Sequence, residues 1–270
     1  MRRTLTTTLL AAMLVMGLAT AAAALGPLYV QDFSDDADGW FGGGGYGTVS
    51  HNPGTETATL EGDTSGPFSR FDGYRDTWTG GWSAEIDVYL DPAWDAGEGF
   101  DYSVASNNSS GDHLRDFIFH VAKDSSTGML LVAGSNNTRV VGDDRVVRDD
   151  LENLNHREIT QAGWYTLQHV FRNDGGTLAV DLNLLDSNGT PLFTETRNTP
   201  ADTIPGVVGG NRYGWFTVID VDGGIEVDNH ELFAADPENA DDCKNGGWDG
   251  FGFRNQGQCI KFVNTGKDSR

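Results

Sequence analysis

Cysteine is nearly absent: 270 residues hold two, Cys243 and Cys259, both close to the C-terminus. That scarcity excludes a disulfide-stapled scaffold. With no histidine after His230, it also excludes a zinc ribbon in the same region. In an exported chain the default for two such cysteines is one disulfide, worth about 3 kcal/mol in the chain-entropy picture. Positive charge is scarce as well. Lys and Arg number 18 against 40 Asp and Glu, a formal net charge of −22. An excess of that size argues against nucleic acid and against anionic lipid as partners. The imbalance is uneven: Leu25 to Ala235 carry 34 acids against 11 bases, whereas Asp236 to Arg270 carry 6 against 5. The chain therefore reads as an acidic main domain over 25–235 followed by a linker and tail over 236–270.

Long apolar runs are missing after the N-terminus. The single candidate, "LLAAMLVMGLAT", follows the basic Met1-Arg2-Arg3 and precedes the alanines 21–24. Basic, apolar, small-residue is the order of a secretory leader, here 1–24, and the run is too short and Ala-rich for a membrane span. The expectation is an exported, extracellular chain, free or held at a surface, with no membrane insertion. Helical periodicity is confined to one short candidate, Asp149 to Ile159. No Ser stands in a G-x-S-x-G elbow. The G-x-G-x-x-G at Gly42, Gly44 and Gly47 lacks the strand and helix that a dinucleotide site needs, so it reads as a loop. The six histidines show no metal-ligand spacing; His113 and His120 read as ordinary strand residues.

What the chain has in abundance is alternation. In "WSAEIDVYL", Trp82, Ala84, Ile86, Val88 and Leu90 oppose Ser83, Glu85, Asp87 and Tyr89. "TLAVDLNLL" repeats the pattern from Thr177 to Leu185. A period of two with one polar face means a half-buried antiparallel strand. Further runs of this kind are separated by the turn signals "NDGG", "DSNG" and "VDGG". A dozen or so strands with little helix predict an all-β fold: a two-sheet antiparallel jelly-roll sandwich with a small disulfide-clipped C-terminal appendage.

The order of these runs resembles the concanavalin A-like, laminin G-like sandwich superfamily. "WSAEIDVYLDP" looks like its early long strand, and "GWYTLQHVFRNDGGTLAVDLNLLDSNGTPLFTET" like its hairpin and following strand. "LYVQDFSDDADGW" and "GGIEVDNHELF" resemble the first and last strands of jelly-roll carbohydrate-binding modules. The tail, "CKNGGW…F…NQGQC", resembles a short Cys-paired element at the ends of exported bacterial proteins. Lectins, adhesion modules, glucanases and lyases share the superfamily, so the fold does not choose among them.

The resemblance allows a catalytic strand to be tested. Glucanases of this fold carry Glu-x-Asp-x-Glu, or the same with one more residue before the last Glu, the outer two acting as nucleophile and acid/base about 5 Å apart. Glu85 and Asp87 match the first two places, but Tyr89 and Leu90 stand where the acid/base belongs. If the chain is an enzyme, Glu85 and Asp87 are its candidate acids; their missing partner favours a binding protein. The resemblance also implies a structural calcium between the terminal strands, held by Asp32 and Asp228, against an Asx-rich turn as the plain alternative. Aromatic rings beside planar polar groups suit sugars, which makes Glu85, Asp87, Tyr89, Arg212, Tyr213 and Trp215 the candidate ligand residues. The function expected is a monomeric, non-catalytic domain binding an extracellular polysaccharide or matrix. The alternatives are a glycan-active hydrolase or lyase, and a structural or adhesive surface protein.

Overall fold

The computed structural model describes residues 27–267 apart from 63, 77, 79, 109, 138–147, 199–207, 238 and 252. The expected leader, 1–24, lies outside the described residues. Among those described, no helix is long and apolar enough to cross a membrane.

Two antiparallel sheets form, as the alternation predicts. The larger runs in the order β13 (Pro191–Arg197), β12 (Thr177–Leu185), β11 (Gly163–Asp174), β6 (Gly81–Leu90), β15 (Ile225–Ala234), β4 (Thr57–Glu61) and β3 (Thr48–Asn52), with β1 (Tyr29–Gln31) also paired to β15. The smaller runs β10 (His156–Ile159), β9 (Leu130–Asn136), β8 (His113–Lys123), β7 (Gly99–Asn107), β14 (Asn211–Thr217), β5 (Phe68–Ser69) and β2 (Trp40–Phe41). The turn signals do what their glycines allow: Gly175, Gly176, Gly189, Gly223 and Gly224 all have positive φ.

The core lies between the sheets. Trp82, Ala84, Ile86, Val88 and Leu90 of β6 face Phe100, Tyr102, Val104, Phe117, Phe119 and Val121 from the other layer, all buried. Trp82 and Phe171 stack with centroids 3.8 Å apart. Two histidines belong to this core. His169 Nε2 lies 3.0 Å from the Phe117 carbonyl and His230 Nε2 lies 3.2 Å from the Tyr102 hydroxyl. Burial pushes both imidazoles down to about 3, so they are neutral in the fold.

The segment Asp149 to Ile159, the expected helix candidate, is instead a 3-10 turn (Arg148–Asn153) followed by β10. Pairing with β9 from His156 to Ile159 outweighs the weak local helix preference. The tail holds α1 (Gly247–Gly250) and α2 (Gln256–Thr265) around the expected Cys243–Cys259 disulfide. Phe251, Phe253 and Phe262 bury against it in a cluster of their own. Asn255 caps α2 by accepting a hydrogen bond from the Gln258 amide.

Candidate functional site

The alternation of β6 points Glu85, Asp87 and Tyr89 outward from the larger sheet, while β14 points Tyr213 and Trp215 outward from the smaller one. The sequence-derived ligand residues thus divide between two opposite faces of the sandwich.

On the larger sheet the carboxyls sit in a cross-strand polar ladder. Gln168 donates to Glu85 at 2.7 Å, Asn183 donates to Gln168 at 2.7 Å, and Thr194 donates to Asn183 at 2.7 Å. Thr166 and Asn229 both donate to Asp87. Tyr89 meets Trp164 edge-on at 5.7 Å. A β-bulge then supplies a carboxyl that sequence reasoning did not reach. Asp87 faces Asp228 and Glu85 faces Glu231, so β15 uses one residue more than β6 over this stretch. Asn229, with φ of 45°, takes up the extra residue. His230 thereby turns into the core and Glu231 turns out, opposite Glu85. Partial burial, reinforced by the negative field of Glu85, Asp87, Asp228 and Asp32, raises the Glu231 carboxyl to about 7. Glu85 is raised too, first by burial.

Asp32 contributes to the negative field at Asp228, whose own carboxyl is raised chiefly by burial. The charge suits a cation, and Asp32 also has local partners. Asp32 accepts from both the Ser34 amide (3.1 Å) and the Ser34 hydroxyl (2.8 Å), which is the Asx-turn arrangement, and these bonds lower its carboxyl. Among the described residues no group of three or more His, Cys, Asp or Glu is arranged to hold a metal.

The smaller sheet carries an open cleft of about 190 Å³ lined by Tyr46, Phe68, Arg70, Tyr74, Arg212, Tyr213 and Trp215. Its rings are held from behind. Trp215 Nε1 donates to the Gly66 carbonyl at 2.9 Å, Tyr213 donates to Asp116 at 2.8 Å, and Phe68 stacks on Phe41 at 4.9 Å. Burial and the Asp116 charge push the Tyr213 phenol far up, so it is a donor and not a base. Tyr46 and Tyr74 stand 45% and 47% exposed, well beyond what core packing explains. Arg70 lies over Phe41, Phe68 and Tyr74 at 5.4 to 5.6 Å, and Arg212 over Tyr74 at 5.5 Å.

Backbone contact fixes the two walls of this cleft. Gly210 donates to the Asp76 carbonyl at 2.9 Å, and a Cβ on Gly210 would stand 1.5 Å from the Arg75 carbonyl oxygen. Asn211, buried, accepts from Trp78 Nε1 and donates to the Gly73 carbonyl. Trp78 is therefore a core residue rather than a ligand platform. Gly47, with φ of 66°, lets the "FGGGGYG" loop approach Glu61 where a Cβ would collide at 1.9 Å, and so positions Tyr46.

Elsewhere on this sheet Asp101, His120 and Ser135 form a row, with His120 Nδ1 2.8 Å from Asp101 and Nε2 2.7 Å from Ser135. The spacing matches a nucleophilic triad, but Ser135 sits on the regular strand β9 and is not among the residues lining the cleft. The row satisfies buried polar groups across three strands.

No family profile matches the chain, and no curated protein matches it at significant similarity. Solved structures are similar at a distance. The CBM2 module of evolved Dit from Lactobacillus casei BL23 phage J-1 is 13% identical with a TM-score of 0.48, over 78% of this chain and 97% of that one. The Bacteroides ovatus xyloglucan protein GH43B is 10% identical with a TM-score of 0.49, over 78% of this chain and 40% of that one. The exoplasmic/lumenal domain of VIP36 in its Ca2+/Man2-bound form is 12% identical with a TM-score of 0.45, over 80% of this chain and 91% of that one. Similarity at this level carries neither a ligand nor an activity to this chain.

Proposed function

We propose that this chain is a non-catalytic extracellular glycan-binding domain whose site is the aromatic and arginine cleft of the smaller sheet. The observation that carries the reading is the lining itself: five rings and two guanidinium groups without a carboxylate. Sugar rings present apolar C–H faces to phenol and indole while their hydroxyls take planar polar donors. A cleft of about 190 Å³ is smaller than the roughly 300–1,000 Å³ of enclosing small-molecule pockets. It suits one or two sugar units of a longer polymer lying across an open surface. With no acid in the lining and the Tyr213 phenol locked as a donor, neither the Asp/Glu pair of a hydrolase nor a phenolate base from Tyr213 is at hand. Immobilised-glycan binding tests this, with Tyr74→Ala and Trp215→Ala each weakening binding about tenfold, the equivalent of ~1.4 kcal/mol per ring. Unimpaired binding in both variants would refute the site.

One observation favours a second reading, a hydrolase on the opposite face: Glu231 stands across from Glu85. Paired residues on antiparallel strands have Cα atoms about 4.5–5.5 Å apart, compatible with the roughly 5 Å carboxyl spacing of retaining glycosidases. Neither acid lines the cleft of the smaller sheet, and Glu85 is engaged by Gln168. Release of reducing ends that disappears in both Glu85→Gln and Glu231→Gln would establish this reading in place of the first.

A further inference from the structure

We infer, resting on the glycan-binding reading, that the cleft selects saccharides bearing an acidic group, with Arg70 and Arg212 receiving the anion. The contrast with Arg172 and Arg197 carries this. Arg172 lies 2.6 Å from Asp181, and Arg197 lies 3.2 Å from Glu195. Arg70 has ring contacts instead, and Arg212 adds the Asn107 amide oxygen at 3.0 Å and the Gly111 carbonyl at 3.4 Å. Neither has a carboxylate partner among the described residues, in a chain where acids outnumber bases 40 to 18. Both guanidinium carbons stand 5.5 Å from the same exposed Tyr74 ring, so ring and cations can engage a single sugar unit. A guanidinium beside a ring face can present its remaining N–H groups to an oxyanion in its own plane; at Arg212 these exclude Nη1, which donates to Asn107 and Gly111.

The net charge of −22 opposes such a ligand at long range, but distance decides the outcome. The Debye length is about 8 Å at physiological ionic strength. The acidic cluster of Glu85, Asp87 and Glu231 lies on the outer face of the other sheet, and packed sheets are themselves about 10 Å apart. Screening therefore damps the far acids, the near one, Asp116, is occupied by the Tyr213 hydroxyl and the Asn137 amide, and the two arginines act at contact.

The test is titration of the full chain with a carboxylated polysaccharide, the same polymer after carboxyl reduction, and a sulfated polymer. The parent is expected to bind at least one acidic polymer tenfold or more tightly than the reduced one; the two acidic arms show whether carboxylate or sulfate is the group taken. Arg70→Gln combined with Arg212→Gln should abolish that preference. Arg172→Gln, an equal charge change on the opposite face, should leave it intact. Equal affinity for the acidic and reduced polymers, or a preference surviving in the double variant, overturns the inference while leaving glycan binding standing. Failure to bind any of the three, or binding indifferent to Tyr74→Ala and Trp215→Ala, overturns the glycan reading itself. Arg70 is exposed and Arg212 partly so, and circular dichroism of the double variant checks that it is folded.

Discussion

Replacing Glu231 by Gln removes a carboxyl that the fold holds at a cost. Its folded value is about 7 against an ordinary 4.5, a raised carboxyl. Its stabilising contribution is therefore complete below pH 4.5 and is lost as pH climbs through 7. Each unit corresponds to 1.36 kcal/mol, so the shift sets an upper limit of about 3.4 kcal/mol at alkaline pH. The side chain is partly solvent-facing, and screening reduces the net effect to about 1–2 kcal/mol. For a domain of this size ~1 kcal/mol moves Tm by roughly 2–4 °C. Scanning calorimetry at pH 8 should then place Glu231→Gln about 4 °C above the parent, and at pH 4 the two should coincide. Part of the gain comes from relieving repulsion by Glu85, Asp87 and Asp228, so it should shrink in 0.5 M salt. A variant no more stable than the parent at pH 8, or equally stabilised at pH 4, would refute the argument.

Three further outcomes follow from the same structure. Because burial keeps His169 and His230 neutral to about pH 3, the unfolded chain takes up their protons first. Stability should therefore decline from pH 6.5 downward by about 2 kcal/mol per histidine at pH 5, and a Tm profile flat from 6.5 to 5 would contradict this. Reducing Cys243–Cys259 should loosen the tail, seen as lost amide protection in α2, and leave the sandwich Tm within about 2 °C, because the tail has its own hydrophobic cluster. Melts in millimolar calcium and in chelator decide the Asp32–Asp228 site: a calcium-dependent rise of several degrees establishes it, and one shared midpoint disposes of it.

The strands were legible because their signal is local: alternation in "WSAEIDVYL" is enough to place Trp82 inside and Glu85 outside. The disulfide was legible because only two cysteines exist to pair. The opposition of Glu85 and Glu231 was not, because it joins residues far apart in the chain and depends on a bulge whose sole sequence trace is Asn229 in "EVDNHEL". Half of the cleft was visible in "NRYGWF". The other half comes from "FSRFDGYR", where Phe68, Arg70 and Tyr74 interleave rings with cations, a pattern that could have flagged it. α2 escaped notice because Gly257 and a weakly amphipathic run give little periodicity.

The clamp that ties Gly210 to Asp76 and Asn211 to Gly73 bears on time as well as on shape. Its hydrogen bonds and tight backbone approach hold the stretch that carries Tyr74, and a separate bond to the Gly66 carbonyl holds Trp215, so this wall of the cleft is preorganised. Association should proceed in a single exponential phase whose rate grows linearly with polymer concentration, with no slower rearrangement behind it. Occupancy then rises and falls with the supply of free polymer, without a lag.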